Sequence, residues 1–156
     1  MNDEILLRFE QTCQQPEYTL TFVMLDVDYF KKYNDHYGHL KGDQVLQQLV
    51  LILNRTLPEN AYVARYGGEE FALILHNVPI ALLEPMMAQV LQAVRAEQIQ
   101  HIARQDAKDY VTVSMGMAWM TGKQPYASVL EFMKAADQQL YLAKEAGRDQ
   151  CRIAGH

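Results

Sequence analysis

The sequence predicts an α+β domain, with a central, mostly antiparallel sheet flanked by helices. Three observations lead there. Leu20–Leu25 is a short apolar run that stops at Asp26, which suits a strand buried on both faces. Ala61–Tyr66 and Phe71–Leu75 are extended runs joined through Gly67-Gly68, the pattern of a β-hairpin whose turn residues can take positive φ. Val111–Trp119 alternates, with Val111, Val113, Met115, Met117 and Trp119 facing one way and Thr112, Ser114, Gly116 and Ala118 the other.

Helices fill the intervals. Asp28–Tyr37 has helical spacing, and Asp28 stands where a cap is wanted. Gly42–Leu57 continues as a stronger helix, with Val45, Leu46, Leu49, Val50, Leu53 and Leu57 on one stripe, until Pro58 stops it. Pro79–Gln100 reads as another. Ser128 can cap a last helix that runs to Ala146, with Val129, Leu130, Met133, Ala136, Leu140 and Ala143 inward. The predicted order is β-α-α-β-β-α-β-α, closed by a short strand near Cys151–Ile153. Helices packed over one mixed or antiparallel sheet satisfy that order.

The bulk numbers narrow the function classes. A chain of 156 residues, 49% of them hydrophobic, is a single domain over 1–156 with a real core. No linker, repeat or low-complexity stretch divides it. The apolar run around Phe22–Leu25 is far too short to span a bilayer, and MNDEILLRFEQ lacks the basic start and apolar stretch of a signal peptide. Cys13 and Cys151 are far apart and lack metal-ligand spacing, so reduced thiols and a cytoplasmic location are expected. A net charge of −5 argues against nucleic acid as a partner. It leaves room for a small anionic ligand held by a few local cations and a metal.

Three places break the rules of an ordinary core. Asp26 follows a buried strand directly, where a bare carboxylate is costly unless a cation offsets it. Magnesium, a hard cation that chooses carboxylate and carbonyl oxygens, would do so, with a helix cap as the plainer alternative. Glu69-Glu70 follows the Gly-Gly turn. Adjacent like charges usually lie on a solvated surface, yet this pair tops the apolar Phe71–Leu75 strand. In a regular strand the two side chains would point to opposite faces, which leaves open the one that meets Asp26. Lys144 and Arg148 are four apart at the end of the last helix and could clamp phosphates, or simply complement the helix dipole.

Together these segments resemble the GGDEF domains, the diguanylate cyclases of bacterial signalling. The match is carried by LDVDYFKKYNDHYGHLKGDQVL (Leu25–Leu46), ARYGGEEFALIL (Ala64–Leu75), VTVSMGMAW (Val111–Trp119) and ADQQLYLAKEAGRD (Ala136–Asp149), in family order and near-family spacing. The resemblance implies a fold like that of nucleotidyl cyclases and polymerase palms, and an enzyme that condenses two GTP into cyclic di-GMP. It implies that Asp26, the Val27 carbonyl, Glu69 and Glu70 hold magnesium (or manganese), with Glu69 activating the 3′-hydroxyl. Asn34 and Asp43 would read guanine, with His39 in the same pocket. The backbone of Tyr29 and Phe30, with Lys31, would follow the phosphates, and Lys144 and Arg148 would hold the terminal ones.

The chemistry agrees. Two metals can activate a 3′-hydroxyl and neutralise a pyrophosphate leaving group, and clustered carboxylates can hold them. Guanine presents two donors on one edge, and an ionised carboxylate such as Asp43, which only accepts, matches both. Forming the product from two GTP implies a transient homodimer.

The chain also departs from the family. Where many members carry an inhibitory Arg-x-x-Asp motif, this one has Pro58-Glu59-Asn60-Ala61, and Arg55 has no Asp partner. The usual opening, Asp-x-Leu-Thr-Gly-Leu-x-Asn-Arg-Arg, is absent, so a domain excised from a longer protein with an N-terminal sensory or dimerising part is expected. Asp149 stands where Asn is usual. Two rivals follow: a relative that binds GTP or cyclic di-GMP without turnover, and a cyclase of another base specificity, against which Asp43 counts.

Overall fold

The computed structural model describes residues 2–155. The elements, in chain order, are α1 (Asn2–Cys13), β1 (Thr19–Val27), α2 (Phe30–Tyr37), α3 (His39–Thr56), β2 (Tyr62–Arg65), β3 (Glu70–His76), α4 (Ile80–Ala96), β4 (Val113–Thr121), α5 (Val129–Glu145) and β5 (Cys151–Ile153). The strands form one sheet of five in the order β2-β3-β1-β4-β5. Its neighbours are antiparallel except β4 and β5, which are parallel.

The largely apolar β1 is central, and both its faces are covered. Val23, Leu25 and Val27 meet Val45, Leu49 and Ile52 of α3 and Met87, Val90 and Val94 of α4 in one core. Leu20, Phe22 and Met24 meet Ile5 of α1 and Phe132, Ala136 and Leu140 of α5 in a second. Period-two alternation along β1 thus divides one strand between two cores. β4 lies beside it, and there Gly116 lets α5 come close. A Cβ at that position would stand 2.1 Å from both the Ala136 carbonyl oxygen and the Leu140 amide nitrogen.

Five details differ from the sequence expectations. Helix α1 precedes the first predicted strand; only Ile5 and Thr12 of it are buried, too narrow a stripe to stand out from sequence. Leu130 is 59% exposed rather than inward, because Phe132, about 200° around α5 from it, faces the core. Helix α4 ends at Ala96, short of Gln100, with Gln98 in a left-handed conformation (φ 49°). Neither Gly67 nor Gly68 has left-handed φ, because the hairpin closes through a longer turn in which Tyr66 N–H donates to the Glu70 carbonyl at 2.8 Å. Asp28 caps nothing: the residue before α2 is Tyr29, without a side-chain cap, while Asp28 is buried and bonded across the sheet. Ser128 does cap α5, its hydroxyl accepting from Glu131 N–H at 3.2 Å.

Candidate functional site

The central strand β1 carries Asp26 near its C-terminal end at 5% exposure, beside a cleft of about 390 Å³. Lys144, in the last turn of α5, donates to Asp26 Oδ2. The other oxygen, Oδ1, is buried with no hydrogen-bond partner. Burial raises the Asp26 pKa to about 6; the Lys144 hydrogen bond and charge oppose that rise, and the charges of Glu69 and Glu70 add to it.

The turn after β1 forms the floor. Asp28 accepts from Ser114 Oγ at 2.6 Å, Thr112 Oγ1 at 2.7 Å and Asp149 N–H at 3.1 Å, so its buried carboxylate is fully used. Tyr29 follows in the left-handed region (φ 56°), uncommon for a bulky residue. Its carbonyl lies 3.1 Å from His101 Nε2. Burial keeps the His101 pKa below the ordinary histidine value.

The third wall is the β2–β3 hairpin. Glu69 enters the same cleft as Asp26. Glu70 sits opposite Asp26 in the β1–β3 ladder, but its side chain lines an adjoining hollow with Phe22, Met24 and Tyr66. Nothing lies within 4 Å of a Cβ built on Gly68, and only the Glu70 carboxylate, at 3.8 Å, approaches one built on Gly67. Neither a left-handed φ nor internal packing demands these glycines.

Lys144 and Arg148 both line the cleft, although the helix does not continue between them: α5 ends at Glu145, and Arg148 and Asp149 have left-handed φ of 63° and 51°. The Asp149 side chain, 5% exposed, pairs with Arg95 and Lys108, each at 2.9 Å, anchoring this turn to α4 and to the segment before β4. The residue that departs from the family pattern thus has two cationic partners.

Of the residues singled out in the sequence, Asp26, Val27, Tyr29, Phe30, Lys31, Glu69, Lys144 and Arg148 share this cleft, together with Lys32 and Asp35. Asn34, His39 and Asp43 are not among its walls. Asn34 lies against Gly42, where a Cβ would stand 1.8 Å from Asn34 Oδ1, and that oxygen is buried without a partner. Asp43 and His39 are exposed on the first turns of α3. Sequence reasoning passed over Thr112, Ser114, His101 and Arg104, which are buried behind the floor. The available signal was the pair of hydroxyls at 112 and 114, just before and within the start of β4, on the polar side of an otherwise apolar alternation.

A buried, unpartnered carboxylate oxygen in a cleft also lined by Val27 and a second carboxylate suits a hard divalent cation. Among the described residues no three acidic, histidine or cysteine side chains converge as a closed set of ligands, and the ammonium of Lys144 supplies the counter-charge to Asp26.

A mixed α+β sandwich with a carboxylate-and-cation cleft at the end of its central strand defines the class. The chain matches the GGDEF family profile (diguanylate cyclase, GGDEF domain) over residues 1–150, and it belongs to that family. Diguanylate cyclase DgcP of Pseudomonas aeruginosa is 34% identical over 135 residues, covering 86% of this chain and 19% of DgcP. YtrP of Bacillus subtilis, an uncharacterized protein, is 35% identical over 133 residues, 85% of this chain and 21% of its own length. The chain therefore spans about a fifth of each of these two relatives. Among solved structures, the GGDEF domain of DgcB from Caulobacter crescentus, determined with c-di-GMP, aligns at a TM-score of 0.84 and 29% identity, covering 98% of this chain and 87% of that one. Among the described residues no helix is long and apolar enough to cross a membrane.

Proposed function

We propose that this chain is the catalytic domain of a diguanylate cyclase, joining two GTP molecules into cyclic di-GMP and releasing two pyrophosphates. The observation that carries the reading is the buried Asp26 carboxylate, with one oxygen unpartnered, in a cleft it shares with Glu69, Lys144 and Arg148. Asp26, the Val27 carbonyl and Glu69 would hold magnesium or manganese, which neutralises phosphate charge and acidifies a bound hydroxyl; Glu70, expected in the same set, would have to turn its side chain from the adjoining hollow to join them.

The chain's own groups have separable tasks. Glu69 accepts the proton of the ribose 3′-hydroxyl. The freed oxygen forms a bond to the α-phosphorus of the second GTP as the bond to pyrophosphate breaks. Lys144 and Arg148 hold the charge that collects on the leaving group. The Tyr29–Lys31 turn lies along the phosphates. Asn34 and Asp43 accept from and orient guanine, with His39 beside them, and the open Asn34 oxygen favours a ligand there. A second copy of the domain presents the second nucleotide. A cytoplasmic location, or the cytoplasmic side of a membrane-anchored parent with an N-terminal sensory or dimerising part, suits such an enzyme.

One observation favours a rival, a domain that binds GTP or cyclic di-GMP without turnover: Lys144 already pairs with Asp26. Incubation with magnesium and GTP, or with ATP in parallel, followed by mass analysis of the products, separates the two. Cyclic di-GMP from GTP alone is expected. Unchanged GTP bound to a folded protein would favour the rival, and a cyclic adenine dinucleotide would refute the base assignment.

A further inference from the structure

We propose that the Tyr29 side chain is a positioning residue that holds Arg148 at the mouth of the cleft, so that its guanidinium meets the terminal phosphates of a bound nucleoside triphosphate. This rests on the GTP reading above. It goes beyond it by giving the Tyr29 ring, and not only its backbone, a task.

The guanidinium carbon of Arg148 lies 4.3 Å from the centroid of the Tyr29 ring, within cation–π range, and its Nη1 donates to the Tyr29 hydroxyl at 3.3 Å. Among the described residues Arg148 has no carboxylate at ion-pair distance; its other polar contact is a long one, 3.5 Å, to the Lys144 carbonyl. Arg104 provides the contrast. It also stands over the Tyr29 ring, at 5.2 Å, but its side chain is fully buried and bonded to both oxygens of Asp106, the Tyr110 carbonyl and Thr112 Oγ1. Of the two guanidiniums on this ring, one has all but one of its donors engaged within the chain and the other keeps most of its donors open. An aromatic face holds a cation without consuming those donors, as a carboxylate would.

Backbone geometry points the same way. Tyr29 and Arg148 are both left-handed, at φ 56° and 63°. Each is fixed by its surroundings: the Tyr29 carbonyl meets His101, and the amide next to Arg148 donates to Asp28. Strain held on both sides of one contact is characteristic of a functional clamp rather than of filler packing.

The test is calorimetric binding of GTP and GMP at fixed magnesium concentration. Tyr29→Asn removes the ring while tolerating the left-handed backbone. It should weaken GTP binding about three- to tenfold, the scale of a partly desolvated cation–π contact, and leave GMP binding within about twofold. Tyr29→Phe keeps the ring face and should bind GTP within about twofold of the parent. In an Arg148→Ala background, Tyr29→Asn should add nothing. If Tyr29→Asn fails to fold, Tyr29→Leu makes the same comparison. Equal loss of GTP and GMP would overturn the clamp in favour of a structural role. So would parent-like GTP binding by Tyr29→Asn where Arg148→Ala binds weakly. Parent-like GTP binding by Arg148→Ala would instead remove the phosphate role of Arg148, and the clamp with it.

Discussion

Asp26 and Asp28 lie two residues apart, are 5% and 2% exposed, and differ in what meets their oxygens. Three protein donors saturate Asp28, whereas one oxygen of Asp26 has none. Asp26 was legible from sequence because a carboxylate closing an apolar run violates burial unless something offsets it. Asp28 was not, since a helix cap and a buried anchor look alike until the partners at 112 and 114 are folded against it. On the proposed mechanism, Asp26→Asn and Glu69→Gln should each lower cyclase turnover by at least about a hundredfold, with circular dichroism unchanged; near-normal turnover by folded Asp26→Asn would refute the metal assignment. A second prediction concerns His101, whose pKa lies below the ordinary value because the ring is buried. The native state favours the neutral ring. Its stabilising contribution is therefore complete above the unfolded histidine pKa and is lost as pH falls below it, since the unfolded chain then binds the proton more readily. His101→Gln keeps a donor for the Tyr29 carbonyl but cannot titrate. Denaturant unfolding from pH 7 to pH 5 should show a steeper loss of stability in the parent than in His101→Gln, while other titrating groups cancel in the comparison. Parallel curves would show that the ring does not titrate in this way.

Elements were readable where their pattern was strong and local, and misread where a distant contact decided. The β1, β3 and β4 strands followed from apolar runs and alternation. Helix α1 escaped because its buried stripe is Ile5 and Thr12 alone. The cation pair was inferred from helical spacing, yet Arg148 lies beyond the end of α5, and the turn held by Asp149 brings it back to Lys144. The glycines divide along the same line. Gly116 permits the contact of β4 with α5, and no repacking of side chains can make room for a Cβ 2.1 Å from helix backbone. Gly116→Ala should therefore cost about 1–3 kcal/mol or more in denaturant unfolding. A Cβ at Gly68 meets nothing within 4 Å. Gly68→Ala should leave stability within about 0.5 kcal/mol of the parent, and on the proposed function it should weaken GTP binding, because a methyl there would meet a nucleotide that comes close to the hairpin backbone. A Gly68→Ala protein with unchanged GTP affinity would show that the nucleotide does not approach that backbone.

At the scale of the whole molecule, one chain offers one Asp26, one Glu69 hairpin and one Lys144–Arg148 pair, lining one cleft. The proposed product needs two GTP molecules, each 3′-hydroxyl attacking the α-phosphorus of the other. Two copies must therefore meet with their clefts facing, in a near two-fold relation. The large apolar side chains exposed on α1 and α5, among them the adjacent pairs Leu6-Leu7 and Tyr141-Leu142, do not recur at the heptad spacing of a coiled coil. Turnover by this chain should then be limited by encounter. Its specific activity should rise with protein concentration while the dimer is sparse, and level off once the dimer dominates. Fusing a dimeric coiled coil ahead of α1 should raise activity at low concentration, by raising the local concentration of the partner cleft, and should flatten the concentration dependence. Mixing the parent with Asp26→Asn or Arg148→Ala copies sharpens the test. Closing both phosphodiester bonds needs two intact clefts, so a parent copy diluted into excess of either variant should lose activity, whereas a cleft that worked alone would keep its own turnover whatever the partner. Sedimentation run beside the activity assay decides the matter. A strictly monomeric chain whose specific activity is flat across a hundredfold range of concentration (about that much is needed to cross a weak dimer equilibrium) would defeat the facing-cleft mechanism.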